Sequence, residues 1–210
     1  MGRNTKSGNS PSNGKLIVIG GPSGAGKTTS AQILDRKFDS ILHYKEQYTT
    51  RNPRPQEVGN SAYHFISEEK FENLKQRGEI AVSTEFLDNF YAFGNGFRSS
   101  VKSAIESGRS VVVDSIHDHN DWKKFEKENP EIPTAKLFLY ADDFEELRNR
   151  IGSRQEISTK RIQKRLKHAR NHLEKVDNFD YVIETNNFTE HQEKLEKFIR
   201  KNIGEIKCQR

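Results

Sequence analysis

Cysteine is nearly missing from this chain of 210 residues: the single one, Cys208, lies at the extreme C-terminus. No internal disulfide can form, so a reducing compartment, the cytoplasm, is the expected home. Long apolar runs are missing too. None approaches the roughly 18–20 residues that span a bilayer, so no membrane association is expected. The opening stretch MGRNTKSGNSPSNGK lacks an apolar segment, which argues against a secretory signal. Its Gly, Ser, Asn and Pro content predicts a flexible tail over residues 1–14, ahead of a single domain over 15–210. There is no internal repeat. The mean hydropathy is −0.92 and the sequence pI about 9.2. The net charge of +5 permits attraction to polyanions, a nucleotide as readily as nucleic acid, and selects neither.

What is present is a set of short Val- and Ile-rich runs: LIVIG (16–20), VVVD (111–114), KLFLY (136–140) and YVIE (181–184). Runs of this length and content suit strands buried on both faces. Helical patterns separate them. One runs from Thr28 to Phe38. A second starts at Ser67, with acids in its first turn, and stops at Gly78. A third covers Phe97 to Ser107, and a fourth runs from Asp142 to Gly152. Alternating strands and helices predict an α/β sheet with right-handed crossovers. Residues 44–66 break the rhythm with turn residues and short alternations, as an inserted β-rich lobe would. A long basic helix is expected between Arg154 and Lys175.

GPSGAGKT, Gly21 to Thr28, matches G-x-x-x-x-G-K-[ST] between the LIVIG strand and a helix. Its glycines let backbone N–H groups face inward as an anion cradle. The nucleotide-binding residues are expected to be Gly21, Ser23, Gly24, Ala25, Gly26, Lys27, Thr28 and Thr29. Lys27 would neutralise the β- and γ-phosphates of ATP, and the Thr28 hydroxyl would ligate Mg²⁺. Asp114, closing the VVVD strand, is the matching candidate for Mg²⁺. The stretch YTTRNPRPQEVGNSAYHF (48–65) places Arg51 and Arg54 three residues apart, with hydroxyls nearby. Two such guanidinium groups can converge on one phosphate or carboxylate.

GPSGAGKTT, TTRNPRPQEVGNSAYHF, DNFYAFG, the strand with Asp114, RNRIGSR…KRL and FDYVI together resemble the guanylate kinases in content, order and spacing. The resemblance runs from about Leu16 to Ile199. It implies an α/β P-loop kinase with a central parallel sheet flanked by helices, an inserted acceptor-binding β-rich lobe at 43–96 and a helical arginine lid at 150–166. It implies transfer of the γ-phosphoryl group of ATP to a nucleoside monophosphate, with Mg²⁺. By the same resemblance Arg51, Arg54, Tyr63 and Tyr91 would hold the acceptor phosphate, and Glu57 would steady the arginines. Arg150, Arg154 and Arg165 would close over the transferring group with Lys27. Lys160, Arg161 and Lys164 read as surface charges.

The chain departs from the family in the residues that read guanine. A serine before the TTR motif, a glutamate in the lobe, a hydroxyl after the Tyr-Gly pair and an acid past the strand aspartate are replaced by Gln47, Val82, Phe93 and Ile116. Gln47 can still hydrogen-bond a base, whereas Val82 and Ile116 cannot accept from guanine N–H groups. A register slip would bring Glu85, His117 or Asp118 into play, and Asp118 stays a candidate acceptor contact. GMP is the family default, but the missing carboxylates make another or modified nucleotide plausible. Two further readings share these motifs. One is a kinase of another phosphorylated acceptor, a ribose bisphosphate or a polynucleotide. The other is a non-catalytic phosphopeptide-binding module, although modules of that kind have degraded glycine loops and this one is intact.

Overall fold

The computed structural model describes residues 14–54, 57, 63–116, 119–153, 158–174 and 176–203. The expectations placed on the N-terminal tail, on Cys208, and on His117, Asp118 and Arg154 lie outside these residues. So does the Ile116 side chain.

Five parallel strands form the central sheet: β1 (Leu16–Gly20), β2 (Ile41–His43), β7 (Ser110–Ile116), β8 (Thr134–Tyr140) and β9 (Tyr181–Glu184). Their order is β2-β7-β1-β8-β9. Helices connect them: α1 (Lys27–Lys37), α3 (Gly96–Glu106), α4 (His119–Glu128), α5 (Phe144–Gly152), α6 (Thr159–Leu173) and α7 (Phe188–Ile203). The central strand β1 carries the period-two logic on both faces. Ile17 and Ile19 pack with Leu34 of α1, with Phe38 just after that helix, and with Leu195 and Phe198 of α7. Leu16 and Val18 pack with Phe97 and Val101 of α3 and Trp122 and Phe125 of α4. All four β1 side chains are fully buried, each contributing about 1.5–3 kcal/mol of hydrophobic stabilisation.

Between β2 and α3 lies a second sheet of order β4-β3-β6-β5. Its strands are β3 (Gln47–Thr49), β4 (Tyr63–Phe65), β5 (Ile80–Phe86) and β6 (Asn89–Gly94), with α2 (Glu68–Gln76) leading into β5. The cap at Ser67 forms as its sequence predicts, the hydroxyl accepting from the Lys70 N–H. At the start of α5 the capping residue is Asp143 rather than Asp142. Its carboxylate accepts from the N–H groups of Glu145 and Glu146. The basic segment becomes α6, which packs Ile162, Leu166 and Ala169 against Leu147 and Ile151 of α5.

Two irregularities lie beside the cleft. Pairing of β1 with β7 slips between Val18 and Gly20, opposite the stretch Val113–Ile116 that contains Asp114. The β5–β6 hairpin turns through Leu87 (φ 49°) and Asp88 (φ 63°), where both central residues take left-handed backbone. Neither is glycine, so the tip carries backbone strain.

Candidate active site

The glycine loop joins β1 to α1 through three left-handed glycines, Gly21, Gly24 and Gly26. Side chains are excluded there for packing as well as backbone reasons. A Cβ at Gly21 would stand 2.1 Å from the Leu139 carbonyl oxygen, and one at Gly24 would stand 2.8 Å from a Leu147 methyl. The loop therefore rests on β8 and α5. Gly26 caps α1 without a side-chain hydrogen bond, which leaves backbone donors of the first turn for an anion. Lys27 folds back, its Nζ donating to the carbonyls of Gly21 (2.8 Å) and Pro22 (2.9 Å). Thr28 and Thr29 are exposed at the helix start.

Asp114, 4% exposed, stands beside this loop. His43 Nε2 lies 3.3 Å from its Oδ1, and Gln47 Nε2 donates to the same oxygen at 3.4 Å. Burial pushes the carboxyl up, but His43, the Thr28 hydroxyl and the Lys27 ammonium outweigh it and hold the group below its ordinary value. Asp114 Oδ2 is buried and has no hydrogen-bond partner among the described residues. An ionised oxygen without a donor, next to a hydroxyl and a lysine at a phosphate loop, fits a hydrated Mg²⁺ held through water. No group of three or more His, Cys, Asp or Glu side chains among the described residues forms a metal cage. A metal at this position would depend on phosphate and water oxygens.

Across the cleft, Arg51 meets Glu57 in two hydrogen bonds of 2.7 Å, and the Arg54 N–H adds a third at 2.9 Å. Partial burial raises the Glu57 carboxyl, yet these donors outweigh it and the group titrates below its usual range. The Arg51 guanidinium lies 5.0 Å from the Tyr63 ring centroid and 5.2 Å from that of Phe65. Tyr63 in turn meets Tyr91 edge to face at 6.2 Å. Burial, with the charge of Asp114, pushes the Tyr63 phenol well above its ordinary value, so it remains a donor. Arg51, Arg54, Glu57, Tyr63 and Tyr91 are thus brought into one cluster.

The inward face of the lobe reads in rows across β3, β6 and β5. Thr49, Tyr91 and Thr84 form one row, and Gln47, Phe93 and Val82 form the next. The second row is closed by packing. Phe93 stacks on Phe97 at 4.4 Å and meets Trp122 edge to face at 5.8 Å, and Val82 belongs to the same apolar cluster. Gln47 is 1% exposed, its amide turned to the Tyr44 carbonyl and Asp114. Glu85 is exposed on the opposite face of β5 and pairs with Phe90, so it does not substitute for the lost carboxylate. In the first row the Thr84 hydroxyl is buried without a hydrogen-bond partner among the described residues.

α6 roofs the lobe. Arg165 donates to the Ser23 hydroxyl of the glycine loop at 3.2 Å, Lys164 lies 3.5 Å from Asp88 at the hairpin tip, and His168 meets the Phe86 ring at 5.3 Å. Beneath α6 is a cavity of about 430 Å³, lined by Arg51, Arg54 and Tyr91 from the lobe and by Lys160, Arg161, Lys164 and Arg165 from α6. Lys160, Arg161 and Lys164 are exposed, as the sequence reading has them, and they also line this cavity. Arg150 sits elsewhere. It bonds Glu146 (2.9 Å) and the Thr185 carbonyl (3.1 Å), and lines a separate groove of about 260 Å³ with Gly24, Gly26 and Thr29. That groove also holds Asn186, Phe188 and His191, none of them marked by a sequence motif. His191 shares a 3.0 Å hydrogen bond with Ser30 of α1.

Comparison with known proteins identifies the family and the fold. The guanylate kinase family model matches residues 13–202. A guanylate kinase of Trichormus variabilis is 38% identical over 178 residues, 85% of each chain. One from Wolbachia pipientis is 31% identical, covering 90% of this chain and 91% of its own. The crystal structure of guanylate kinase from Anaplasma phagocytophilum superposes with a TM-score of 0.69 at 24% identity, over 92% of this chain and 88% of that one, and supports the fold. The chain belongs to the guanylate kinase family, and with it to the phosphotransferases that act on nucleotides.

Proposed function

We propose that this chain transfers the γ-phosphoryl group of ATP to a nucleoside monophosphate without the guanine selectivity that gives its family its name. The carrying observation is the Gln47–Phe93–Val82 row. Where the family pattern calls for hydrogen-bonding side chains, two of these three are packed among aromatic rings. A site built on such hydrogen bonds discriminates by roughly 10⁴–10⁵, and apolar replacements remove that discrimination.

The phosphate chemistry is supported by intact parts. The ATP phosphates would lie in the loop from Gly21 to Thr29, with Lys27 swinging from its carbonyl partners onto the β- and γ-phosphates. Thr28 and Asp114 would hold Mg²⁺, which supplies charge neutralisation on the phosphate oxygens. Arg150 would steady the donor from the Thr185 side, and Arg165, already on Ser23, would meet the transferring group. Arg51, Arg54, Tyr63 and Tyr91 would fix the acceptor phosphate, whose own anionic oxygen attacks. The P–O bond to the leaving ADP breaks as the new one forms. No general base is required, and catalysis is positioning with electrostatic stabilisation.

The test is a screen of ATP-dependent turnover across all ribo- and deoxyribonucleoside monophosphates. The reading predicts kcat/KM values within about 10²-fold of one another. A preference for GMP of 10⁴ or more would overturn it, as would failure to phosphorylate any of them.

A further inference from the structure

The α6 end of the acceptor cavity holds more positive charge than one phosphate calls for. Six cations line the cavity, against two carboxylates, Glu68 and Asp88. Arg51 is already satisfied by Glu57, and Lys164 is paired with Asp88. Lys160 and Arg161, by contrast, have no ion-pair partner among the described residues.

Their placement in the helix is mildly unfavourable, and a bound anion would relieve it. Both lie in the first turn of α6, where the helix dipole presents positive charge and opposes a cation. That turn contains no acid, and Ser158 makes no side-chain cap. Lys160 with Lys164, and Arg161 with Arg165, are like charges four residues apart, a spacing that destabilises a helix by a few tenths of a kcal/mol per pair. All four nevertheless line the same cavity, together with the Ser158 at the helix start. Arg165 also reaches Ser23 of the glycine loop and is assigned above to the transferring group, so the charge left over for the acceptor is that of Lys160 and Arg161.

We propose that the acceptor carries a second phosphate group, and that Lys160 and Arg161 with the start of α6 form the subsite that holds it. The ligand class is a nucleoside bisphosphate. One phosphate sits in the Arg51–Arg54 clamp and is the nucleophile, and the other is a spectator under the lid helix. The γ-phosphoryl group of ATP passes to the clamped phosphate, ADP leaves, and the second phosphate is chemically unchanged. Two phosphates bring about three to four negative charges, which the clamp pair Arg51 and Arg54 faces from the lobe and the pair Lys160 and Arg161 faces from α6. The inference rests on the reading of this cavity as the acceptor site.

Matched acceptors decide it: adenosine 5′-monophosphate, adenosine 3′,5′-bisphosphate and the 5′-phosphorylated dinucleotide pApA, whose second charge is a phosphodiester. They are assayed with the intact chain and with a Lys160→Gln/Arg161→Gln variant. Removing first-turn cations relieves the dipole conflict, so the variant is expected to fold at least as well. The bisphosphate should exceed the monophosphate in kcat/KM by 10-fold or more. The double substitution should lower the bisphosphate value at least 10-fold further than the monophosphate value, with the KM for ATP held. Equal losses for both acceptors, or none, overturn the subsite, and a preference for pApA over the bisphosphate overturns the ligand class. If no acceptor turns over, the kinase reading has failed. Calorimetric titration of the bisphosphate into both proteins then still decides the subsite, and equal affinities overturn it.

Discussion

Arg51 and Glu57 meet fork to fork, with both guanidinium nitrogens 2.7 Å from the carboxylate oxygens. The pair is only partly exposed, and Tyr63 and Phe65 confine the guanidinium from the side. The geometry fixes where Arg51 presents its remaining donors. Glu57→Gln keeps the shape and loses the charge, so the arginine is held less firmly. The KM for the acceptor is expected to rise about 10-fold while the KM for ATP stays within 2-fold. Arg51→Ala should abolish acceptor binding with ATP affinity nearly unchanged. Equal loss of both affinities, measured by calorimetry, would contradict the division of the site into donor and acceptor halves.

Phe93 fills the place where the family pattern calls for a hydroxyl, wedged between Phe97 and Trp122. If that ring is structural, Phe93→Ser costs what other buried Phe truncations cost, about 3–5 kcal/mol in urea unfolding. Val82→Glu places a charge in the same apolar cluster and should be worse. A stable Phe93→Ser protein, losing under about 1 kcal/mol, would mean that the pocket is open to a base after all.

Gly21 takes φ +134°, and a Cβ there would overlap the Leu139 carbonyl. Backbone strain alone is about 1–3 kcal/mol, and the overlap forces β1 and β8 apart. Gly21→Ala is therefore expected to lower the urea midpoint and to abolish ATP binding together. Gly26→Ala has left-handed strain but open space around it, so its stability loss should be smaller. Equal losses for the two variants would show that packing against Leu139 is not the controlling factor.

The buried strands and the glycine loop were legible because their signals are local: LIVIG, VVVD, KLFLY and YVIE appear within β1, β7, β8 and β9. The caps at Ser67 and the α5 start were legible for the same reason, to within a residue. The three-residue strands β3 and β4 have too little length for periodicity, and their parallel pairing follows from tertiary placement. His43 meets Asp114 across 71 residues of sequence, and Arg165 meets Ser23 across 142. No spacing announces such contacts. Lys160 and Arg161 are exposed, as a solvated face would be, and only the docking of α6 over the lobe shows that they also line its cavity. The direction in which a charged helix faces is set by the apolar stripe Ile162, Leu166 and Ala169 on its other side.

His191 offers a pH signature of the donor side. It is 3% exposed, hydrogen-bonded to Ser30, and faces the groove that contains Arg150. Burial and then the charge of Arg150 lower its proton affinity below the ordinary value of 6.5. The unfolded chain retains that ordinary value and so binds the proton first as pH falls. Stability is therefore unaffected well above pH 6.5 and declines as pH drops through it, until the folded group also titrates. His191→Gln retains hydrogen-bonding atoms and cannot titrate. The difference in unfolding free energy between the parent and this variant should shift in favour of the variant between pH 7.5 and 5.5. A pH-independent difference over that range would mean that His191 is not held neutral, and that burial and Arg150 do not control its charge.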